Sequence, residues 1–282
     1  MPRTLCLVHA NCQGHALRSL LEMKPAFNRL FHVRVYTNYT REAIRQENIS
    51  ACGLFLYQKL DGSWGELSSD SLLAMLPKDC LRFEIPNLFF KGYWPTWASG
   101  DKSIDFADSL LNEFLSRGLA PGDALRVYER AGPALLGDVW GIAEESLAEA
   151  ERREAACPVR CAPLLRDRWR EEQLFLTVNH PGKTLLFHLA EGLLGLLGLG
   201  RLSRSAKRAW RHPDDDFWLP IHPALKRLLG LPFAGEGRRY PMFATALTHR
   251  EYTSCYLACR NEGVKDLVAF LNHLPRDFRP AA

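Results

Sequence analysis

The first ninety residues repeat one rhythm, a short apolar run followed by an amphipathic one, and few folds accommodate it. "RTLCLVHA" is a continuous apolar run of the kind a strand shows when both its faces are buried. "GHALRSLLEM" then carries apolar residues at helical spacing up to Pro25. "FHVRVYTN" alternates like a strand, and "TREAIRQENI" reads as a helix with Thr40 as its N-cap. "GLFLYQKL" is a third strand, "SSDSLLAMLP" a third helix stopped at Pro77, and "CLRFEIPN" a fourth strand closed by Pro86. Strands alternating with helices predict an α/β fold, a three-layer, doubly wound parallel sheet of the flavodoxin-like kind, with ligands at the carboxyl ends of its strands.

Beyond Asn87 the rhythm changes. "LFFKGYWPTW" is an aromatic loop, and "IDFADSLLNEFLSRG" and "VWGIAEESLAEAERREAAC" read as helices. "QLFLTVNH" is a late strand, and "TLLFHLAEGLLGLLGLG" a buried helix that holds Glu191 and is too short for a bilayer. The expectation is one α/β domain over 1–282, with a helical insert or cap at about 100–170 and a helical C-terminal region. The formal charge of +4 on 282 residues calls for no nucleic-acid partner. The start, Met-Pro-Arg running into a strand, has no leader pattern, which predicts a cytoplasmic protein.

Eight cysteines could suggest a disulfide framework, but the chain length, the core content and the expected absence of a leader argue against one. Cys6 and Cys80 lie in apolar runs as small hydrophobes. "CPVRC" and "CYLAC" would place paired thiols on one helical face, but zinc knuckles favour Cys-x2-Cys and Pro158 interrupts the first pair, so core packing is expected and no metal. Cys12 differs. It falls where the first strand hands over to the first helix, so its thiol should sit among helix-start N–H groups, in the field that favours a thiolate. Gly14 would let a ligand or another backbone come close. This is the pattern of a nucleophile elbow, against which stands an inert cysteine in a tight turn.

"TVNHPG" puts His180 just after the late strand, on the sheet edge expected to carry Cys12, where an imidazole can take and return the thiol proton. Asn87 ends the fourth strand, and its amide can donate to an oxyanion beside the Cys12 and Gly14 N–H groups. His15, one turn beyond Cys12, is a second acid/base candidate. His9 and His188 read as satisfied core residues, and His222 as the start of a helix.

These three blocks, "NCQG", "IPNLFFKGYWP" and "NHPG", in this order, resemble the WcbI-type capsular polysaccharide biosynthesis proteins. That resemblance implies an acetyltransferase that binds coenzyme A on a relative of the SGNH-hydrolase fold, with Cys12, Asn87 and His180 at the matching catalytic positions. One departure is plain: SGNH hydrolases carry an aspartate three residues before the histidine, and here that residue is Thr177. Glu84, Asp101 or a backbone carbonyl would then have to orient the ring, unless a Cys–His dyad needs none.

The phosphates of coenzyme A call for nearby cations. Lys91 and Lys183 are the candidates, joined as cofactor-binding residues by Asn11, Gln13, Gly14 and His15 around the helix start. Tyr93, Trp94 and Trp97 can stack on an adenine or a sugar, or simply pack. "RLSRSAKRAWRH" holds five basic residues and no acid, a solvated face or a surface for an anionic polysaccharide or a membrane; Arg238 and Arg239 sit in a Gly-rich loop. The expected partners are acetyl-CoA and a sugar or polysaccharide precursor, with no transmembrane segment and peripheral membrane contact left open. The expected reaction is acyl transfer to a sugar hydroxyl. Its alternatives are a thiol esterase or deacetylase, and a binding protein that holds coenzyme A or a nucleotide without chemistry.

Overall fold

A strand of seven residues with six buried must be covered on every side, and β1 (Thr4–Ala10) is. The computed structural model describes residues 3–276 and 278. After β1 come α1 (Gln13–Glu22), α2 (Pro25–Leu30), β2 (Phe31–Thr37), α3 (Gln46–Ser50), β3 (Cys52–Tyr57), α4 (Ser69–Met75) and β4 (Leu81–Glu84). The four strands form one parallel sheet in the order β2-β1-β3-β4, with Val8 opposite Val35 on one side and Leu56 on the other. Helices flank it. Leu5, Leu7 and Phe55 point from one face into a cluster with Ile49 of α3 and Leu72 of α4. On the other face Gly14 of α1 rests on the sheet, where an added Cβ would lie 3.2 Å from both Ala10 and Val35 and 3.3 Å from Val8. The glycine is therefore a packing requirement: it lets α1 settle onto the sheet rather than opening room for a ligand.

In this strand order the chain turns from one side of β1 to the other, and the crevice of a doubly wound sheet opens at the carboxyl ends of the strands where that reversal occurs, here between β1 and β3. The residues just after β1 and β3 are Asn11, Cys12 and Gln58.

The elements continue as α5 (Ser109–Ser116), α6 (Pro121–Glu129), α7 (Pro133–Leu136), α8 (Val139–Arg153), α9 (Ala162–Arg168), β5 (Phe175–Thr177), β6 (His180–Pro181), α10 (Lys183–Leu196), α11 (Arg204–Ala209), α12 (Leu225–Leu228), β7 (Arg239–Met242), β8 (Thr245–Thr248), α13 (His249–Glu262) and α14 (Leu267–Asn272). Contacts divide the chain into two compact units. The first is 1–88, 149–166 and 180–213, and holds the parallel sheet; the second is 89–148, 167–179 and 214–282. The insert expected at about 100–170 is thus shared between them. The second unit is helical apart from short strands, among them the antiparallel hairpin of β7 and β8, and its core includes the fully buried Tyr93, Tyr240 and Tyr256. Among the described residues no helix is long and apolar enough to cross a membrane.

Several local expectations change. The helix expected from Thr40 begins only at Gln46, because Arg41 takes a left-handed φ of 55° and ends a single 3-10 turn, Asn38–Thr40, whose Thr40 hydroxyl donates back to the Thr37 carbonyl. The late strand forms as β5 but lies outside the four-stranded sheet. His188 is exposed and engages the Arg160 carbonyl at 2.9 Å instead of the core. His9 is buried as expected, yet its Nε2 has no hydrogen-bond partner, and burial lowers its pKa to about 4. The Cys157 and Cys161 thiols face the Glu84 carboxylate and the Leu185 carbonyl in the first unit, while Cys255 and Cys259 are buried on α13 in the second.

Candidate active site

Cys12 occupies the N-cap position of α1, in helical conformation, with its side chain capping nothing. A serine or aspartate there would turn back onto the helix; the thiol instead projects outward. Its Sγ lies 3.3 Å from Nε2 of His180, within hydrogen-bonding reach although 168 residues separate the two. Both side chains are partly exposed. His180 is held from behind by its neighbour, since the Pro181 carbonyl meets Nε2 of the buried His212 at 2.9 Å. Two residues on, Gly182 starts α10.

Around this pair the sheet edge is lined with carboxamides, one after each strand: Asn11 after β1, Asn38 after β2, Gln58 after β3 and Asn87 beyond β4. Gln58, 1 % exposed, is the hub. Its oxygen accepts from the Asn11 backbone N–H (2.8 Å) and from Asn38 Nδ2 (3.5 Å). Its Nε2 donates to the side-chain oxygens of Asn11 (3.4 Å) and Gln13 (3.3 Å) and to the Pro86 carbonyl (3.2 Å). Gln13 in turn clamps the chain after β4, donating to the Leu88 carbonyl at 2.7 Å and accepting from the Leu88 N–H at 3.1 Å. The polarity of this network orients its last member. With Asn11 Oδ1 accepting from Gln58 and from the Gln13 N–H, Asn11 Nδ2 donates to Asn87 Oδ1 at 3.0 Å. The Asn87 oxygen is thereby engaged, and its Nδ2 is the donor left over on an exposed side chain.

The candidates read from sequence therefore separate. Cys12, His180, Asn11 and Asn87 belong to one constellation. Gln13 is 6 % exposed and its amide is committed to scaffolding. The Gly14 N–H donates to the Asn11 carbonyl at 3.0 Å, so it is not the oxyanion donor expected of it. His15 is exposed and meets Thr37 Oγ1 at 3.3 Å, at the end of β2. Lys183, half-buried, opens α10 three residues after His180. Lys91 belongs to the second unit, where its N–H donates to Ser146 Oγ. Tyr93 and Trp94 are buried there, the tyrosine hydroxyl donating to the Trp169 carbonyl at 2.5 Å and the indole to carbonyls of Leu219 and Pro220, so neither is a stacking platform; Trp97 is only partly buried, against Phe89. Asp101 also lies in the second unit and is engaged by Ser103 and Asn112. Gln58 went unnoticed at the sequence level; the signal that would have found it is the recurrence of an amide residue just past strand after strand.

The other seven thiols contrast with Cys12. All are buried, and burial pushes each of them up, Cys259 to about 11 and Cys52, Cys157 and Cys255 to about 12. Cys12 is the one cysteine within reach of solvent.

A parallel sheet in the order 2-1-3-4, with an accessible thiol after β1 and an imidazole against it, defines an α/β protein with a Cys–His pair at its carboxyl edge. The chain belongs to the WcbI family, described as polysaccharide biosynthesis enzymes, whose profile matches residues 5–202. It is also similar to a solved structure described as WcbI, a novel polysaccharide biosynthesis enzyme, native protein without a disulfide bond between coenzyme A and one of its cysteines. The identity is 19 %, over 96 % of this chain and 94 % of that one, with a TM-score of 0.76, and the likeness is one of fold. No curated protein matches this chain.

Proposed function

We propose that this chain transfers an acyl group, acetyl from acetyl-CoA, to a sugar hydroxyl of a capsular or surface polysaccharide precursor. The observation that carries the reading is the 3.3 Å approach of Cys12 Sγ and His180 Nε2 at the carboxyl edge of the sheet. Family membership supplies the polysaccharide context. The solved WcbI structure is described in terms of coenzyme A and a cysteine, and Cys12 is the accessible cysteine here. The residues present suit such a ligand: a reachable thiol, a spare amide donor on Asn87, and the Lys183 ammonium as a phosphate partner. We read the layering and the nucleophile after β1 as SGNH-like, with Thr177 where those hydrolases carry aspartate. The free state of all eight cysteines supports a reducing, cytoplasmic compartment.

Bound acyl-CoA supplies an activated thioester. The protein's own groups then have defined tasks. His180 takes the Cys12 proton, and the thiolate would bond the acyl carbon as its bond to the coenzyme A sulfur breaks, with Asn87 Nδ2 donating to the oxyanion and His180 returning the proton to the departing thiolate. His180 would then take the proton of the sugar hydroxyl as that oxygen displaces the Cys12 sulfur, which takes the proton back. In the second route His180 takes the proton of the sugar hydroxyl directly, and Cys12 stays a bystander. Calorimetric titration tests the reading: coenzyme A binds, more weakly at higher salt as its phosphates are screened. Rapid hydrolysis of aryl acetates without coenzyme A binding would replace the transferase by an esterase.

A further inference from the structure

The segment from the end of α10 to His212 plays no part in the chemistry above, and its composition divides in two. Leu193 to Gly200 contains no polar side chain, and it ends α10 in a tip where Leu196 is 47 % exposed and Leu197 and Leu199 are half-buried. Arg201 to Arg211 contains five basic residues and no acid. Lys207 is accounted for: it pairs with Glu191 at 2.8 Å and covers the Phe187 ring. Arg201, Arg204, Arg208 and Arg211 are exposed, and among the described residues none has a carboxylate in ion-pair range. Elsewhere Arg18, Arg117, Arg152, Arg153 and Arg166 each pair with a glutamate, whereas the strip brings four unpaired arginines into eleven residues.

The segment is held in place along its length. Lys24 Nζ donates to the Arg201 carbonyl, the Leu202 N–H to Glu191, Trp210 Nε1 to Ser19 Oγ, and His212 meets the Pro181 carbonyl. One end is therefore tied to Glu191 within α10 and the other to Pro181 just before that helix begins. The arginines form a fixed strip running from the leucine tip back toward the His180 end. Unpaired cations held on a fixed strip favour an anionic surface, and the exposed Leu196 with the half-buried Leu197 and Leu199 before them in the chain favours one with an apolar interior. An acidic glycan would satisfy the arginines and leave the leucines without a partner.

We infer that the strip Arg201–Arg211 and the leucine tip at Leu196 form a docking surface for anionic membrane lipid. Arginines meet headgroup phosphates, and Leu196 enters the interfacial layer. The inference is independent of the acyl-transfer reading, since it uses none of the residues of that site.

The test is sedimentation of the full chain with phosphatidylcholine vesicles prepared with and without phosphatidylglycerol. The chain should pellet with the anionic vesicles only, and release as salt rises. Combining Arg204→Gln, Arg208→Gln and Arg211→Gln should weaken binding on the order of a hundredfold. Leu196→Ser should weaken it by about tenfold while leaving the salt dependence as it was. Unchanged thermal melting of these exposed-site variants establishes that they are folded. Equal binding to both vesicle types, or undiminished binding by both variants, would overturn the proposal. So would capture by soluble dextran sulfate with no sedimentation on anionic vesicles, which would assign the strip to a polyanionic glycan.

Discussion

Two polar clusters, one in each compact unit, attract attention for their concentration of chemical groups, and they are built in opposite ways. At the carboxyl edge of the sheet, Asn11, Gln13 and Gln58 satisfy one another and the backbone, and what remains over is turned outward: the Cys12 thiol, the His180 ring and one amide donor of Asn87. In the second unit Asp108 caps α5, accepts from Thr96 Oγ1 and Tyr128 hydroxyl at 2.5 Å each, and the buried His222 and His249 pack ring against ring at 4.7 Å. There the leftovers point inward: His249 Nδ1 and the Tyr252 hydroxyl are buried without partners. Burial raises the Asp108 carboxyl and holds His249 well below the usual imidazole range. A site able to act keeps its reactive groups reachable and its scaffolding satisfied. Strongly shifted groups alone do not mark one.

This contrast can be broken in three places. The largest effect is expected at His180: His180→Asn should lower turnover on the order of a hundredfold or more, leaving coenzyme A affinity and thermal stability close to wild type. A loss of affinity equal to the loss of turnover would make His180 a binding residue. Next comes the hub. Gln58→Leu strips partners from Asn11 and Gln13 together and should cost about 3 kcal/mol in denaturant unfolding; a loss below about 0.5 kcal/mol would mean that the amide network does not hold the edge together.

The smallest effect separates the second cluster by pH. His249 is depressed in the folded state, so the unfolded chain binds its proton first. Folded stability is then full above the unfolded pKa near 6.5 and falls as pH drops below it. His222 shifts the same way. His249→Phe, which preserves an aromatic ring against Tyr128, should flatten the stability profile below pH 6.5 without abolishing its slope. Identical profiles for variant and wild type would show that the buried imidazole contributes nothing to acid sensitivity.

What the sequence made legible follows the same division. The βα rhythm of the first ninety residues is written in local periodicity, and β1, α1, β2, β3, α4 and β4 fall where their apolar spacing places them. The helix after β2 did not, because the left-handed turn at Arg41 has no glycine to announce it. The position of Cys12 was legible because a cysteine at a strand-to-helix turn is a local pattern. The partnership of Cys12 with His180 could be guessed only from chemistry, since the chain brings His180 in from outside the parallel sheet. The role of Gln58 was invisible because four separate strand ends must come together before an amide there has partners. Gly14 was legible as a close approach but not as to what approaches it; the side chains of Val8, Ala10 and Val35 are what would touch its missing Cβ.

Whether Cys12 and His180 form the reactive pair is decided by mass-resolved alkylation at neutral pH on wild type and His180→Asn. Cys12 should be modified well before any of the seven buried thiols, and its rate should fall when the imidazole is removed. First labelling at Cys255 or Cys259, or a Cys12 rate indifferent to His180→Asn, would contradict it.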